Sequence, residues 1–191
     1  MHPKEQAMSG NADRRDGLPP GASAGLPPAK VLVVIWHSRT GATQALVDAL
    51  LDGAATEPSV AARAVPAYEA MPADLLDADL VVLAAPENLG ALSGAMKEYL
   101  DTGYYDWLDR TNGKLWASII AAGSDGSGAQ RQLDRIATGL RLRRVAEPLI
   151  VITDAQSPER IRATKTVKDT DLARARELGA ALASGLALGI F

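Results

Sequence analysis

The chain contains no cysteine. Disulfides, thiolate metal ligands and thiol redox chemistry are therefore excluded. Histidine is almost as scarce. His2 and His37 are the two in the chain, and they do not make a metal-ligand pair, so no metal site is expected. Charge of one sign is missing too. Lys and Arg number 20 against 23 Asp and Glu, for a net charge of −3. Nucleic-acid binding leaves a basic footprint, and none is present. No apolar run reaches the ~18 residues that cross a bilayer. The polar start Met1-His-Pro-Lys-Glu-Gln has no apolar segment of the secretory kind. The expectation is a cytoplasmic protein with neither a membrane span nor a nucleic-acid partner.

Hydrophobic residues make up 47% of the 191 positions, enough for one packed domain. Residues 1–29 are rich in Pro, Gly, Ala and charge, without periodicity. They read as a disordered tail, and Met8 is a second possible start. The folded domain is expected over 30–191.

From Lys30 onward, strand and helix patterns alternate. Val31 to Trp36, Leu80 to Ala84 and Lys114 to Ala122 are strongly apolar runs, as in strands buried on both faces. Val60 to Val65 carries Arg63 and reads as a strand near an edge. Leu149 to Ile152 is the last strand. Ala42 to Leu50 recurs at helical spacing, and Gly53 fits a helix C-cap. Further helices are expected over Met71 to Asp77 behind Pro72, from Leu92 through Tyr99, from Ala129 to Leu140, and from Leu172 to Leu186. Pro86 is expected to end the Leu80 strand. Such alternation builds parallel βαβ units in a doubly wound α/β sheet, three layers deep. Five strands suit the order 2-1-3-4-5, with ligands bound outside the carboxyl ends of the strands.

Three polar, glycine-rich loops meet at that end: His37 to Thr43, Ala85 to Gly94 and Ala122 to Gly128. The first, Ser38-Arg39-Thr40-Gly41-Ala42-Thr43, follows a buried strand and opens a helix. A phosphate there would meet free backbone amides and the positive end of the helix dipole. Gly41 allows close approach. A helix cap needs one hydroxyl, whereas this loop carries three. Competing motifs fail. There is no G-x-x-x-x-G-K-[ST], and the first turn has no G-x-G-x-x-G. Ser93 lies between Ala91 and Ala95 rather than the glycines of a nucleophile elbow. His37 and Ser38, neighbours at a strand end, point apart and make no catalytic pair.

Ser38-x-Thr40-Gly41-x-Thr43 matches, at every fixed position, the pattern [T/S]-x-T-G-x-T of the flavodoxin FMN-phosphate loop. A second segment agrees. Pro86, Gly90, Ser93, Met96, Lys97 and Asp101 resemble the P-x-x-x-G-x-x-S-x-x-M-K-x-x-x-D segment of WrbA-like flavodoxins. Pro86-Glu-Asn, with the following Gly, Lys and Asp, is also similar to a segment of NADPH-dependent FMN reductases. The resemblance covers about residues 30 to 188.

The resemblance implies a flavodoxin-like fold and FMN as cofactor. Ser38, Arg39, Thr40, Gly41, Ala42 and Thr43 would then cradle the phosphate. Pro86, Glu87, Asn88, Leu89 and Gly90 would lie along the ring. The third loop, through Gly123, Ser124 and Gly126, would reach the ring's pyrimidine edge. The flavin carries the chemistry, so no side chain is assigned as catalytic. Asp125 is expected to face outward. Lys97 and Asp101 read first as an i,i+4 ion pair.

Electron-carrier flavodoxins are strongly acidic and sandwich the ring between aromatics. This chain is near neutral, and neither flavin loop holds an aromatic. The leading expectation is an NAD(P)H-dependent oxidoreductase that reduces free flavin or a quinone. A one-electron carrier docking on redox proteins is the alternative, and a domain that has lost its cofactor is the third. Tyr104, Tyr105 and Trp107 either line the ring opening, across a homo-oligomer interface, or anchor a surface. Thr153 to Thr170, long and charged, reads as a lid or a dimer arm.

Overall fold

The apolar run at Leu32–Ile35 is fully buried because it lies in the middle of a sheet with helices on both faces. A computed structural model of the chain describes residues 30–191, and the tail expected over 1–29 lies outside the described residues. The run belongs to β1 (Lys30–Trp36), and its side chains alternate between two cores. Leu32 and Val34 pack with α1 (Ala42–Ala54) and the terminal helix α6 (Asp169–Ala187). Val33 and Ile35 pack with α2 (Pro72–Asp77), α3 (Gly94–Trp107) and α4 (Ser127–Gly139). Successive strand side chains point to opposite faces, so a strand between two cores must be apolar at every position.

The parallel sheet runs β2 (Val60–Pro66), β1, β3 (Leu80–Asn88), β5 (Leu115–Ala122). The fifth place is shared. β6 (Arg143–Arg144) pairs with Leu115 and Trp116 at the base of β5, and β7 (Leu149–Ile152) pairs with Ile119 to Ala122 at its top. Pro148, which has no N–H to give a ladder, stands just before β7. The order is therefore 2-1-3-4-5, with its last strand in two pieces. β2 is the edge strand, and its Arg63 reaches Asp74 of α2 at 2.8 Å.

Four expectations change. Pro86 does not end β3, which continues to Asn88. The β1–β3 ladder stops at Trp36 opposite Ala84. At Pro86 itself β3 pairs only with β5, opposite Ala121, and a missing donor is tolerated on a one-sided strand. Leu92 is not helical but sits in β4 (Ala91–Leu92), antiparallel to the end of β3. Gly53 is not a cap but lies inside α1. A Cβ there would stand 2.0 Å from the Arg176 carbonyl oxygen, and one on Gly179 would stand 1.9 Å from that of Leu50. The two glycines let α1 and α6 touch backbone to backbone. Trp107 lines no opening. It is fully buried, its Nε1 donates to the Pro72 carbonyl at 2.9 Å, and its ring meets Tyr99 edge-on at 5.3 Å. Tyr104 and Tyr105 are exposed on the same helix, and the Lys97–Asp101 ion pair forms at 2.6 Å.

Candidate functional site

The carboxyl ends of β1, β3 and β5 open into a cavity of about 560 Å³, within the range of small-molecule sites. Ser38, Arg39, Thr40, Ala42 and Thr43 line one end. Ser38 turns this loop, its Oγ accepting from the Gly41 N–H at 3.1 Å. Gly41, at φ +92°, is in the left-handed region, where a side chain would be strained. No side chain caps α1. The amides of its first turn therefore keep the deficit that every helix start carries. Thr43, the second residue of α1, is 1% exposed. Its Oγ1 has no hydrogen-bond partner among the described residues. A buried hydroxyl without a partner costs about 1–3 kcal/mol, and an anion seated on this helix start would remove the deficit. The residues present therefore fit a phosphate.

The second wall is the β3–β4 hairpin. Asn88 pairs with Ala91 across a two-residue turn. Both turn residues, Leu89 at φ +54° and Gly90 at φ +70°, are left-handed, as in a type I′ turn. Leu89 is fully exposed, yet it lines the cavity. Glu87 also lines the cavity, and its carboxylate is engaged on α4. It accepts from the Gly126 N–H at 3.0 Å and the Ala129 N–H at 2.9 Å, capping α4. Gly126 is accordingly outside the lining, its amide committed to Glu87. Gly128 lets the hairpin approach, since a Cβ there would stand 2.1 Å from the Gly90 carbonyl oxygen. The second and third loops are thus locked together.

Gly123 and Ser124 line the third side, and Asp125 is exposed, accepting from the Ser127 hydroxyl. The fourth wall, Thr153, Ala155, Ile161 and Lys165, comes from the segment read as a lid or a dimer arm, none of whose residues the sequence assigned to the site. The only signal was a charged segment too long for a plain connection. Sequence reasoning missed a link between the first two loops. His37 Nδ1 stands 2.9 Å from the Oγ of Ser93. Burial first, then the Arg39 charge, hold the imidazole below its ordinary value. Ser93 is fully buried, so no substrate reaches it and the pair is structural.

The charges on the lining are Arg39, Glu87 and Lys165. With Glu87 engaged on α4, one end of the cavity is electropositive. Pro86, Leu89, Ala121 and Ala122 make the other part apolar, and no aromatic side chain lines the cavity among the described residues. Among those residues no cluster of three His, Asp or Glu is placed to hold a metal. No helix among them is long and apolar enough to cross a membrane.

Residues 44–156 match the model of the NADPH-dependent FMN reductase family, more than half of the chain. The match begins immediately after Thr43. A flavodoxin from Aquifex aeolicus (strain VF5) is 29% identical over 97 residues, which are 51% of this chain and 52% of that one. The matched region thus spans about half the length of this curated relative. A solved flavodoxin from the domain Archaea superposes with a TM-score of 0.66 at 16% identity, covering 82% of this chain and 99% of that one. A WrbA-like flavodoxin from Agrobacterium tumefaciens does so with a TM-score of 0.59 at 20% identity, covering 83% and 98%. The chain belongs to the NADPH-dependent FMN reductase family and has the flavodoxin-like fold.

Proposed function

We propose that this chain is an FMN-binding oxidoreductase that takes electrons from NADH or NADPH and passes them to a small acceptor, a quinone or free flavin. The observation that carries the reading is the unpartnered Thr43 hydroxyl, buried at an uncapped helix start on the lining of the cavity. It supports a bound phosphate, and the family supports FMN as the molecule that bears it. When bound, FMN supplies hydride acceptance and release.

The chain's own residues have narrower tasks in this reading. Thr43 and the first-turn amides of α1 hold the phosphate, with Ser38, Thr40 and Gly41 shaping the loop and Arg39 adding charge at its rim. Asn88 and the amides at Gly123 and Ser124 offer donors to ring carbonyls. Pro86 and Leu89 offer apolar contact. Glu87 and Gly126 act indirectly by fixing the hairpin against α4. The lack of an aromatic on the lining supports an open ring face against which a nicotinamide or a quinone stacks. The likeness to the Aquifex aeolicus flavodoxin favours the second reading, an electron carrier for redox proteins.

An absorbance spectrum of purified protein with added FMN tests the first point, and anaerobic addition of NADH or NADPH tests the second. Bound flavin bleached by a pyridine nucleotide, then reoxidised by a quinone or by free flavin, is expected. Failure to bind FMN overturns the cofactor assignment. FMN that binds but resists both nucleotides leaves the carrier.

A further inference from the structure

The fourth wall of the cavity is a strap between β7 and α6, tied firmly at both ends and loosely between them. At the first end, Thr153 N–H and Oγ1 both donate to the Ala122 carbonyl, at 2.8 and 3.0 Å. Ala155 is buried, and its N–H donates to the Gly123 carbonyl at 3.1 Å. Gly123 permits that approach, since a Cβ there would stand 2.8 Å from the Ala155 carbonyl oxygen. At the other end, Val167 is buried in the core that α1 and α6 share. From Gln156 to Thr166 no residue is buried. A stretch with so few core contacts belongs to the low-stability end of a fold, where local opening occurs.

The bonds of that stretch are mostly its own. Helix α5 (Pro158–Arg162) opens on Ser157, whose Oγ accepts from the Arg160 N–H at 3.3 Å. It closes on Lys165, whose Nζ donates to the carbonyls of Arg160, Ile161 and Ala163, at 2.7, 3.0 and 2.6 Å. All three ammonium donors are thereby committed, and a cation is favoured on the orphan carbonyls of a helix end. The Arg160 guanidinium donates to the Asp154 carbonyl at 3.3 Å, still within the strap. Among the described residues, a single hydrogen bond ties 156–166 to another part of the fold. It runs from the Lys165 N–H to the Thr40 carbonyl, at 2.7 Å. The segment is therefore stiff within itself and fastened by one bond to the first loop. Ile161, its only large apolar side chain, is 55% exposed and lines the cavity.

We propose that residues 156–166 are a flap that swings as a unit between Ala155 and Val167 and gates exchange of the flavin. The inference rests on the FMN reading above. In that reading the phosphate sits at the first loop and the ring at the third. A flap running from one loop to the other then crosses the chain that joins phosphate to ring. Opening breaks the bond to Thr40 and disturbs no buried side chain. Lys165 is a positioning residue here. Its ammonium holds α5 in one piece and makes no contact with the ligand.

The test follows FMN binding to the full chain by stopped-flow quenching of flavin fluorescence. For wild type, the association rate is expected to level off as FMN concentration rises, because flap opening limits it. Lys165→Met removes the three bonds that stiffen the flap and keeps the apolar stem. Its association plateau and its dissociation rate should both rise roughly tenfold, the factor that one charge-assisted hydrogen bond carries. Equilibrium affinity should stay within about twofold of wild type, because the flap closes in the free and in the bound protein alike. Ser157→Ala uncaps the other end of α5 and should move both rates the same way, so that poor folding of one variant does not decide the outcome. Brief trypsin treatment is the second readout. Cleavage after Arg160, Arg162 or Lys165 should be rapid without ligand and suppressed by saturating FMN. Association that stays linear in FMN, with both variants at wild-type rates, overturns the flap. So does faster dissociation alone with weakened affinity, the mark of a lost ligand contact, and so does cleavage that FMN leaves unchanged. Each of these leaves the FMN site standing. A wild type that binds no FMN takes down both.

Discussion

Two buried hydroxyls have no partner among the described residues, Thr43 Oγ1 and the Tyr99 phenol. They are the same physical defect in two places, and their substitutions should separate. Burial above all, with the Asp74 charge nearby, pushes the Tyr99 phenol well up, so it stays a neutral group with an unmet donor. Tyr99→Phe removes the defect and keeps the ring packed on Trp107. It is expected to raise unfolding free energy by about 1 kcal/mol, read by urea denaturation, with flavin affinity untouched. Thr43→Val removes the other defect at nearly constant volume. The protein without flavin should be as stable as wild type or slightly more so. FMN affinity should fall roughly tenfold or more, because the lost hydroxyl would have donated to a charged oxygen. A Thr43→Val protein that is destabilised without ligand, yet binds FMN normally, would make Thr43 a core residue and nothing else.

At the scale of elements, the strands of this fold could be read from the sequence because burial between two helical layers forces uninterrupted apolar runs. That the first loop lines the cavity could be read because it follows a buried parallel strand, at whose carboxyl end such sheets open. What escaped reading depends on contacts between distant elements. Gly53 looks like a cap until Arg176 of α6 is seen against it. Pro86 looks like a stop until the ladder to β1 is seen to end two residues earlier, at Ala84. The partners of the Glu87 carboxylate, two amides of α4, cannot be read from its own loop. Helix α5 escaped because, with no buried residue, it has no hydrophobic period to betray it. The β3–β4 turn belongs here as well. Leucine is a poor choice for a left-handed position, whereas Asn followed by Gly is the preferred pair for a type I′ turn. Leu89→Asn is therefore expected to stabilise the protein without flavin, by about 0.5–1 kcal/mol. Flavin affinity should drop, since the apolar side chain on the lining is gone. Thermal melts with and without FMN check both signs in one experiment: the gain should appear without ligand and shrink or reverse with it.

For the molecule as a whole, the coupling of stability to pH in the neutral range runs through one described imidazole. His37 ties the first loop to the start of α3 through Ser93, and burial, then Arg39, lower its pKa from the ordinary 6.5. The unfolded chain takes up a proton as pH falls through ~6.5, while the folded chain still holds His37 neutral. Proton uptake then favours unfolding. The stabilisation is complete above that value, is lost progressively below it, and stops falling once the folded imidazole also protonates. Glu57, held below its usual range by hydrogen bonds from Ser59, and Glu159, held there by its own backbone N–H and then by Ser157, act in the same direction only at lower pH. His37→Gln keeps a polar side chain near Ser93 and removes the titration. Urea midpoints for wild type should decline between pH 7.5 and 5.5, while the variant stays flatter across the same window. Equal slopes in the two proteins would place the neutral-range proton uptake elsewhere. Saturating flavin should raise the wild-type midpoint at every pH and leave the slope of the decline unchanged, because a ligand that binds only the folded state with pH-independent affinity adds a constant stabilisation.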